Sequence, residues 1–186
     1  MNIERLTTQF RNALMEAQSI ALGYEHAAVE PMHVLAAILK QNDGSVGPIL
    51  NQLGVNISKL ERDVQAKLDA MAKVTGQQGD IGVSRALQRL FNMADAASQK
   101  RQDQFIASDV FILSAMPKAD EPMVQVLLAA GATEDGFRQA MDKVRSGDKV
   151  NSSNESTGSQ ILERYTIDLT QAALQGKLDP VIGRDA

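Results

Sequence analysis

Leu6-Thr7-Thr8-Gln9-Phe10-Arg11-Asn12-Ala13-Leu14 and Val83-Ser84-Arg85-Ala86-Leu87-Gln88-Arg89-Leu90-Phe91 stand 77 positions apart, and their likeness decides the fold. Each opens on an apolar residue and a hydroxyl, then sets apolar side chains at helical spacing. The same offset lays residues 6–67 on residues 83–144 without a gap. Ala17 falls on Ala94, Leu35 on Ile112, Leu39 on Met116 and Ile49-Leu50 on Val126-Leu127. Leu60 and Val64 fall on Phe137 and Met141, and Gly54 falls on Gly131. Identities are few, but the apolar positions, the helix starts and the glycine coincide. Two unrelated amphipathic helices would not align in this way over some sixty positions.

Each copy reads as four helices. Thr7 is placed to cap a helix whose apolar stripe is Phe10, Leu14, Ala17 and Ala21, with Gly23 as its stop. A second helix starts near Pro31, where a missing N–H costs nothing, and Met32, Leu35, Ala36 and Leu39 form its apolar face. Asn42-Asp43-Gly44-Ser45 is a turn. A short third helix covers 46–53 before Gly54, and a fourth runs from Asn56 or Ser58 to about Met71. In the second copy Ser84, Ser108 and Thr133 are expected to cap helices five, six and eight, and Asp120 or Glu121 to open helix seven. A glycine-rich connector, 76–82, joins the copies. Short helices cannot bury a face alone, so the copies must share a core. The expected fold is all-α: a pseudo-twofold tandem repeat of two four-helix units, about 6–71 and 83–145, in one domain over 1–145. The second helix of each copy, around Val34-Leu35-Ala36-Ala37-Ile38 and Val110-Phe111-Ile112-Leu113, is apolar all round and belongs at the centre.

Composition narrows the function classes. The chain has 186 residues, 44% hydrophobic and 23% charged, with a net charge of -4. Nucleic-acid binding is not expected, because neutralising phosphates takes a clustered excess of Lys and Arg. There is no cysteine, hence no disulfide frame and no thiolate site. Met1-Asn2-Ile3-Glu4-Arg5 carries no apolar run of a secretory signal, and no apolar stretch approaches the length of a membrane span. A soluble, cytoplasmic protein is expected. Aromatic residues make up only 4%, with no Trp, and helix formers abound, so strands are not expected.

Beyond Arg145 the composition shifts. Residues 146–160, SGDKVNSSNESTGSQ, hold almost nothing apolar and read as a flexible linker. Order is expected to return at Ile161-Leu162. The last segment, 161–186, reads as a truncated start of a further module.

That segment carries a resemblance. Tyr165-Thr166-Ile167-Asp168-Leu169-Thr170, followed by Gly176-Lys177-Leu178-Asp179-Pro180-Val181-Ile182-Gly183-Arg184-Asp185, resembles the entry to the first AAA+ nucleotide-binding module of double-ring Clp ATPases. The doubled four-helix unit resembles the Clp N-terminal repeat domain. Arg5-Leu6-Thr7, Ala17-Gln18-Ser19, Ala21-Leu22-Gly23, Glu30-Pro31-Met32-His33 and Gln99-Lys100-Arg101 resemble the ClpB branch. The resemblance covers essentially the whole chain. It implies the substrate-binding domain of a hexameric chaperone. That machine uses ATP and magnesium to extract unfolded or aggregated polypeptides, working with a DnaK-type system through a middle domain. It also implies that Val181 and Ile182 sit beside the adenine in a full-length relative. No G-x-x-x-x-G-K-[ST] phosphate loop occurs here, so no ATP hydrolysis and no cofactor of its own are expected. Hexamer contacts in the family lie mainly in the ATPase modules, which implies a monomer for this chain. The alternative is an adaptor-binding module of a Clp ATPase that serves a protease.

Candidate substrate-binding residues fall in two groups. On helix five the stripe is Leu87, Leu90, Phe91 and Ala94, ending on Ser98. Met93 lies off that stripe, with Ala97 one turn on, and the matching position in the first copy is Glu16. An apolar, polarizable residue thus stands where the first copy places a charge, as promiscuous binding surfaces prefer. Val110, early in helix six, is expected to close this groove. The resemblance further implies a polar cluster of Thr7, Asp103 and Asp109, although Asp109 stands where the family usually has Glu. Without it, Thr7 reads as a helix cap, Asp103 as a loop residue and Asp109 as a first-turn acid favoured by the helix dipole. His26 and His33 are the only histidines. Glu30-x-x-His33 has di-iron spacing, but the matching Ala107 and Val110 supply no ligand, so no metal is expected. No serine sits in a nucleophile elbow, and catalytic residues are not expected.

Overall fold

The computed structural model describes residues 3–74 and 81–145. Those up to Lys143 belong to one compact unit; Val144 and Arg145 belong to a second. The expected linker 146–160, the segment 161–186 with Val181 and Ile182, and residues 76–80 of the connector lie outside the described residues.

Among the described residues eight α-helices follow a 3-10 turn over Ile3–Arg5. They are α1 (Thr8–Gly23), α2 (Pro31–Lys40), α3 (Val46–Gln52), α4 (Ile57–Ala70), α5 (Arg85–Lys100), α6 (Ser108–Ala115), α7 (Pro122–Ala129) and α8 (Glu134–Arg145). Adding 77 to the starts of α1, α2 and α4 gives the starts of α5, α6 and α8. The caps match as well. Thr7 Oγ1 accepts from Phe10 N at 3.1 Å, and Ser84 Oγ from Leu87 N at 3.1 Å. Asn56 Oδ1 accepts from Lys59 N, and Thr133 Oγ1 from Gly136 N, both at 3.1 Å. Each satisfies an N–H that the helix itself leaves open.

One local expectation is corrected, and two helix ends carry detail of their own. Ser108 is the first residue of α6; the cap position is Ala107, with no side-chain cap bond. Ser108 is fully buried instead. Gly23 ends α1, but the left-handed residue that turns the chain is Glu25 (φ 62°), and its mate Gln102 (φ 63°) does the same after α5. His26 N then reaches Ala21 O and Asp103 N reaches Ser98 O, each at 2.9 Å, closing both helices alike. The second such end is that of α6, which stops two residues short of its mate. Pro117 stands where α2 has Lys40 and has no N–H to continue the ladder.

Among the described residues the only β-type contacts are two isolated parallel bridges, Leu6 with Ile106 and Val29 with Val83. The 77-residue shift turns Leu6 into Val83 and Val29 into Ile106, so it exchanges one bridge for the other. Thr7 N donates to Ile106 O and Ile106 N to Arg5 O; Ser84 N donates to Val29 O and Val29 N to Gly82 O. Each copy's first helix is thereby tied to the other copy's second, as a twofold relation requires.

The core lies on this axis. α2 packs against α1, α3 and α4 of its own repeat and across against α5 and α7. Phe10 meets Phe111 and Phe91 at ring-centroid distances of 5.1 and 6.1 Å, and Phe91 meets Phe111 at 5.7 Å. All three rings are buried. Such aromatic pairs add about 0.5–1.5 kcal/mol each beyond their buried area. They join the first repeat to the second at the level where α5 and α6 must be held for the site.

Candidate functional site

Between α5, α6 and the start of α8 runs a groove of about 690 Å³. Met93, Ala96 and Ala97 form one wall on α5, and Val110, Leu113 and Ser114 the facing wall on α6. Pro117 lines it as well, and Lys100, Arg101, Glu134 and Arg138 make the polar rim. The structure thus brings together Met93, Ala97 and Val110, three residues that the sequence reading grouped. Met93 and Ala97 are half-buried, whereas Val110 is only 1% exposed and lies in the floor. Leu113, also half-buried, was missed. It lies three residues beyond Val110, one turn along α6, and that spacing would have found it.

The rim is largely self-neutralised. Arg138 donates to Asp135 Oδ1 and Glu134 Oε2, both at 2.8 Å. Arg101 Nε lies 3.5 Å from Asp103 Oδ2. Lys100 is exposed and has no ion pair among the described residues.

Thr7, Asp103 and Asp109 are all buried, at 0%, 6% and 0% exposure. Thr7 holds the start of α1 through Oγ1 and is tied by its N–H to Ile106, in the loop that joins α5 to α6. Asp103 sits in the same loop, beside Arg101. Asp109 Oδ1 accepts from Val110 N at 2.7 Å in the first turn of α6. Thr7 is bonded to the α5–α6 loop, Asp103 lies in that loop and Asp109 opens the helix after it; none of the three lines the groove.

A partly exposed ion pair and a buried histidine pair complete the surroundings. Arg5 is paired with Asp95 on α5 and also donates to Ser98 Oγ at 3.3 Å. No sequence pattern marks two opposite charges 90 positions apart. His26 Nδ1 lies 2.7 Å from His33 Nε2, and both rings are buried. Glu30 N donates to His33 Nδ1 at 2.8 Å, so the His33 proton sits on Nε2 and is given to His26. Burial, then the neighbouring His26, pushes the His33 pKa down to about 4. Burial, then Lys73, lowers that of His26. The repeat mates of His26 and His33 are Asp103 and Val110. Where Tyr24 stacks on His26 at 5.2 Å in the first repeat, Arg101 pairs with Asp103 in the second. One position in the fold is therefore sealed by stacking in one copy and by charge in the other. Among the described residues no group of three or more His, Cys, Asp or Glu side chains is arranged to hold a metal. No helix among them is long and apolar enough to cross a membrane.

Comparison with known proteins fits this geometry. A family model described as the Clp repeat (R) N-terminal domain matches residues 5–130. The chaperone protein ClpB of Vibrio vulnificus is 43% identical over 185 residues, which is 100% of this chain and 22% of that protein. The chain thus spans about a fifth of the length of that curated relative. Among solved structures, the Hsp104 N-terminal domain from Candida albicans superposes with a TM-score of 0.71 at 17% identity, covering 80% of this chain and 96% of that one. A ClpV N-domain in complex with a VipB peptide gives 0.64 at 20% identity, covering 78% and 90%. At these identities the likeness shows the fold alone.

Proposed function

As the chain belongs to the Clp repeat N-terminal domain family and is the N-terminal domain of a ClpB-type chaperone, we propose that it is the polypeptide-engaging module of an ATP-driven disaggregase. The α5–α6–α8 groove takes exposed apolar segments of unfolded or aggregated chains. The observation that carries this reading is Met93, half-exposed at the mouth of an apolar groove, at a position where the first repeat has Glu16. A flexible thioether among small side chains adapts to many sequences, and polar rims around apolar patches mark interaction sites. The same fold holds a peptide in the ClpV N-domain complex. Thr7, Asp103 and Asp109 act as positioning residues: they hold the α5–α6 loop and the first turn of α6, and so the groove's width.

On this reading residues 146–160 tether the domain, and residues 161–186 enter the first nucleotide-binding module, with Val181 and Ile182 beside the adenine. ATP and magnesium bind in the parent's modules; the chain itself hydrolyses nothing and is a monomer, while the full-length protein is a cytoplasmic hexamer. The DnaK-type partner meets the parent's middle domain.

The test is a methyl NMR titration of the 186-residue chain with a permanently unfolded protein. Shifts should concentrate at Met93, Val110 and Leu113. Met93→Glu should weaken binding about tenfold without lowering Tm, since it places a charge where an apolar segment must desolvate it. Shifts spread evenly over the surface would sink the groove.

A further inference from the structure

Moving the groove lining back by 77 positions lands on a second depression. Ala97, Arg101, Leu113 and Arg138 become Ile20, Tyr24, Ala36 and Glu61, and these four line a separate groove of about 330 Å³ between α1, α2 and α4. Leu39 and Val64 complete its apolar floor. The pseudo-twofold axis therefore presents two grooves of equivalent position.

Their linings differ in the sign of charge at one pair of mates, Arg138 and Glu61. In the second repeat Arg138 is held by two acids, Glu134 and Asp135, and Arg101 by Asp103, while Lys100 has no ion pair among the described residues. In the first repeat Lys100 is replaced by Gly23 and Arg138 by Glu61. Glu61 is exposed and has no ion pair among the described residues. The one cation of the lining, Lys40, lies 3.6 Å from Glu16. The Tyr24 ring already carries Lys73 Nζ, 5.2 Å from its centroid, so Glu61 is the lining group left to meet a ligand's cation.

From the repeat equivalence and the unpaired Glu61, we infer that the α1–α2–α4 groove is a second polypeptide-binding site, taking apolar segments that carry a lysine or arginine. The inference rests on the reading of the α5–α6–α8 groove as a polypeptide site. Together the two grooves would let one domain grip an unfolded chain at two places of different flanking charge.

Two peptides with the same short apolar core, one flanked by lysines and one by glutamates, distinguish the outcomes on the 186-residue chain. The lysine-flanked peptide should shift the methyls of Ile20, Leu39 and Val64, and added salt should weaken it. Glu61→Lys should reduce its affinity about threefold or more, the size expected for one partly exposed charge, and leave the glutamate-flanked peptide unchanged. Shifts confined to Met93, Val110 and Leu113 with both peptides overturn this inference alone. Shifts at Ile20, Leu39 and Val64 that ignore the flanking charge overturn its selectivity. No shift in either groove overturns the proposed function with it.

Discussion

A single hydroxyl or imidazole in this domain has consequences that its sequence neighbours do not suggest. Thr7 caps α1 and anchors the loop behind the groove, yet is wholly buried. Thr7→Ala should therefore cost about 1 kcal/mol of stability, read as a lower urea midpoint, through the lost cap. A loss of peptide affinity with no loss of stability would instead mean that Thr7 touches substrate. His33 makes the domain sensitive to acid. Unfolded, it binds a proton near 6.5; folded, only near 4. Above pH 6.5 neither state carries the proton, and stability is unaffected. Between 6.5 and 4 the unfolded chain takes up a proton that the folded chain refuses, so stability falls, by about 3 kcal/mol in all, and levels off below. NMR titration of the imidazoles should place His33 near 4 and His26 below its usual value. A His33 midpoint at or above 6.5 would refute the buried-pair description.

At the scale of the helix, the repeat is kept where backbone geometry is demanding and released where side chains face a groove. Gly54 (φ 78°) and Gly131 (φ 100°) hold the left-handed turn after α3 and α7 in both copies. No neighbouring atom would meet an added Cβ at either site, so the cost of Gly131→Ala is purely conformational. About 1 kcal/mol is expected, checked by thermal unfolding. Glu25 and Gln102 take the same left-handed conformation without being glycine, and the residue after each of the four closes its helix alike: His26 N to Ala21 O, Asp103 N to Ser98 O, Val55 N to Leu50 O and Ala132 N to Leu127 O. Around the grooves, by contrast, mates differ freely: Glu16 and Met93, Tyr24 and Arg101, Glu61 and Arg138. The helices repeat because packing repeats; their outer faces carry what distinguishes one groove from the other.

For the whole molecule the decisive feature is that neither repeat owns its core. Phe10 of the first repeat sits among Phe91 and Phe111 of the second, and the two bridges cross between copies. Phe10→Ala should cost about 3–5 kcal/mol, from lost burial and the cavity left behind. Both repeats should be weakened together. Methyl signals of Leu60 in the first repeat and Leu87 in the second should then disappear at one denaturant concentration. Two separate transitions would mean that each repeat folds alone, against the shared packing.

The sequence by itself determined the helices, their phase and their doubling. These depend on local periodicity, on cap residues and on a repeat that survives because its apolar positions must match. It also pointed to Met93, Ala97 and Val110, since an apolar residue off the buried stripe can be seen by comparing copies. Only the tertiary structure decided what the polar residues do. It buried Thr7, Asp103 and Asp109. It paired Arg5 with Asp95 and His26 with His33, and it revealed that the first repeat has a groove of its own. Burial and pairing of polar groups arise from contacts between distant segments, and such contacts leave no period in the chain.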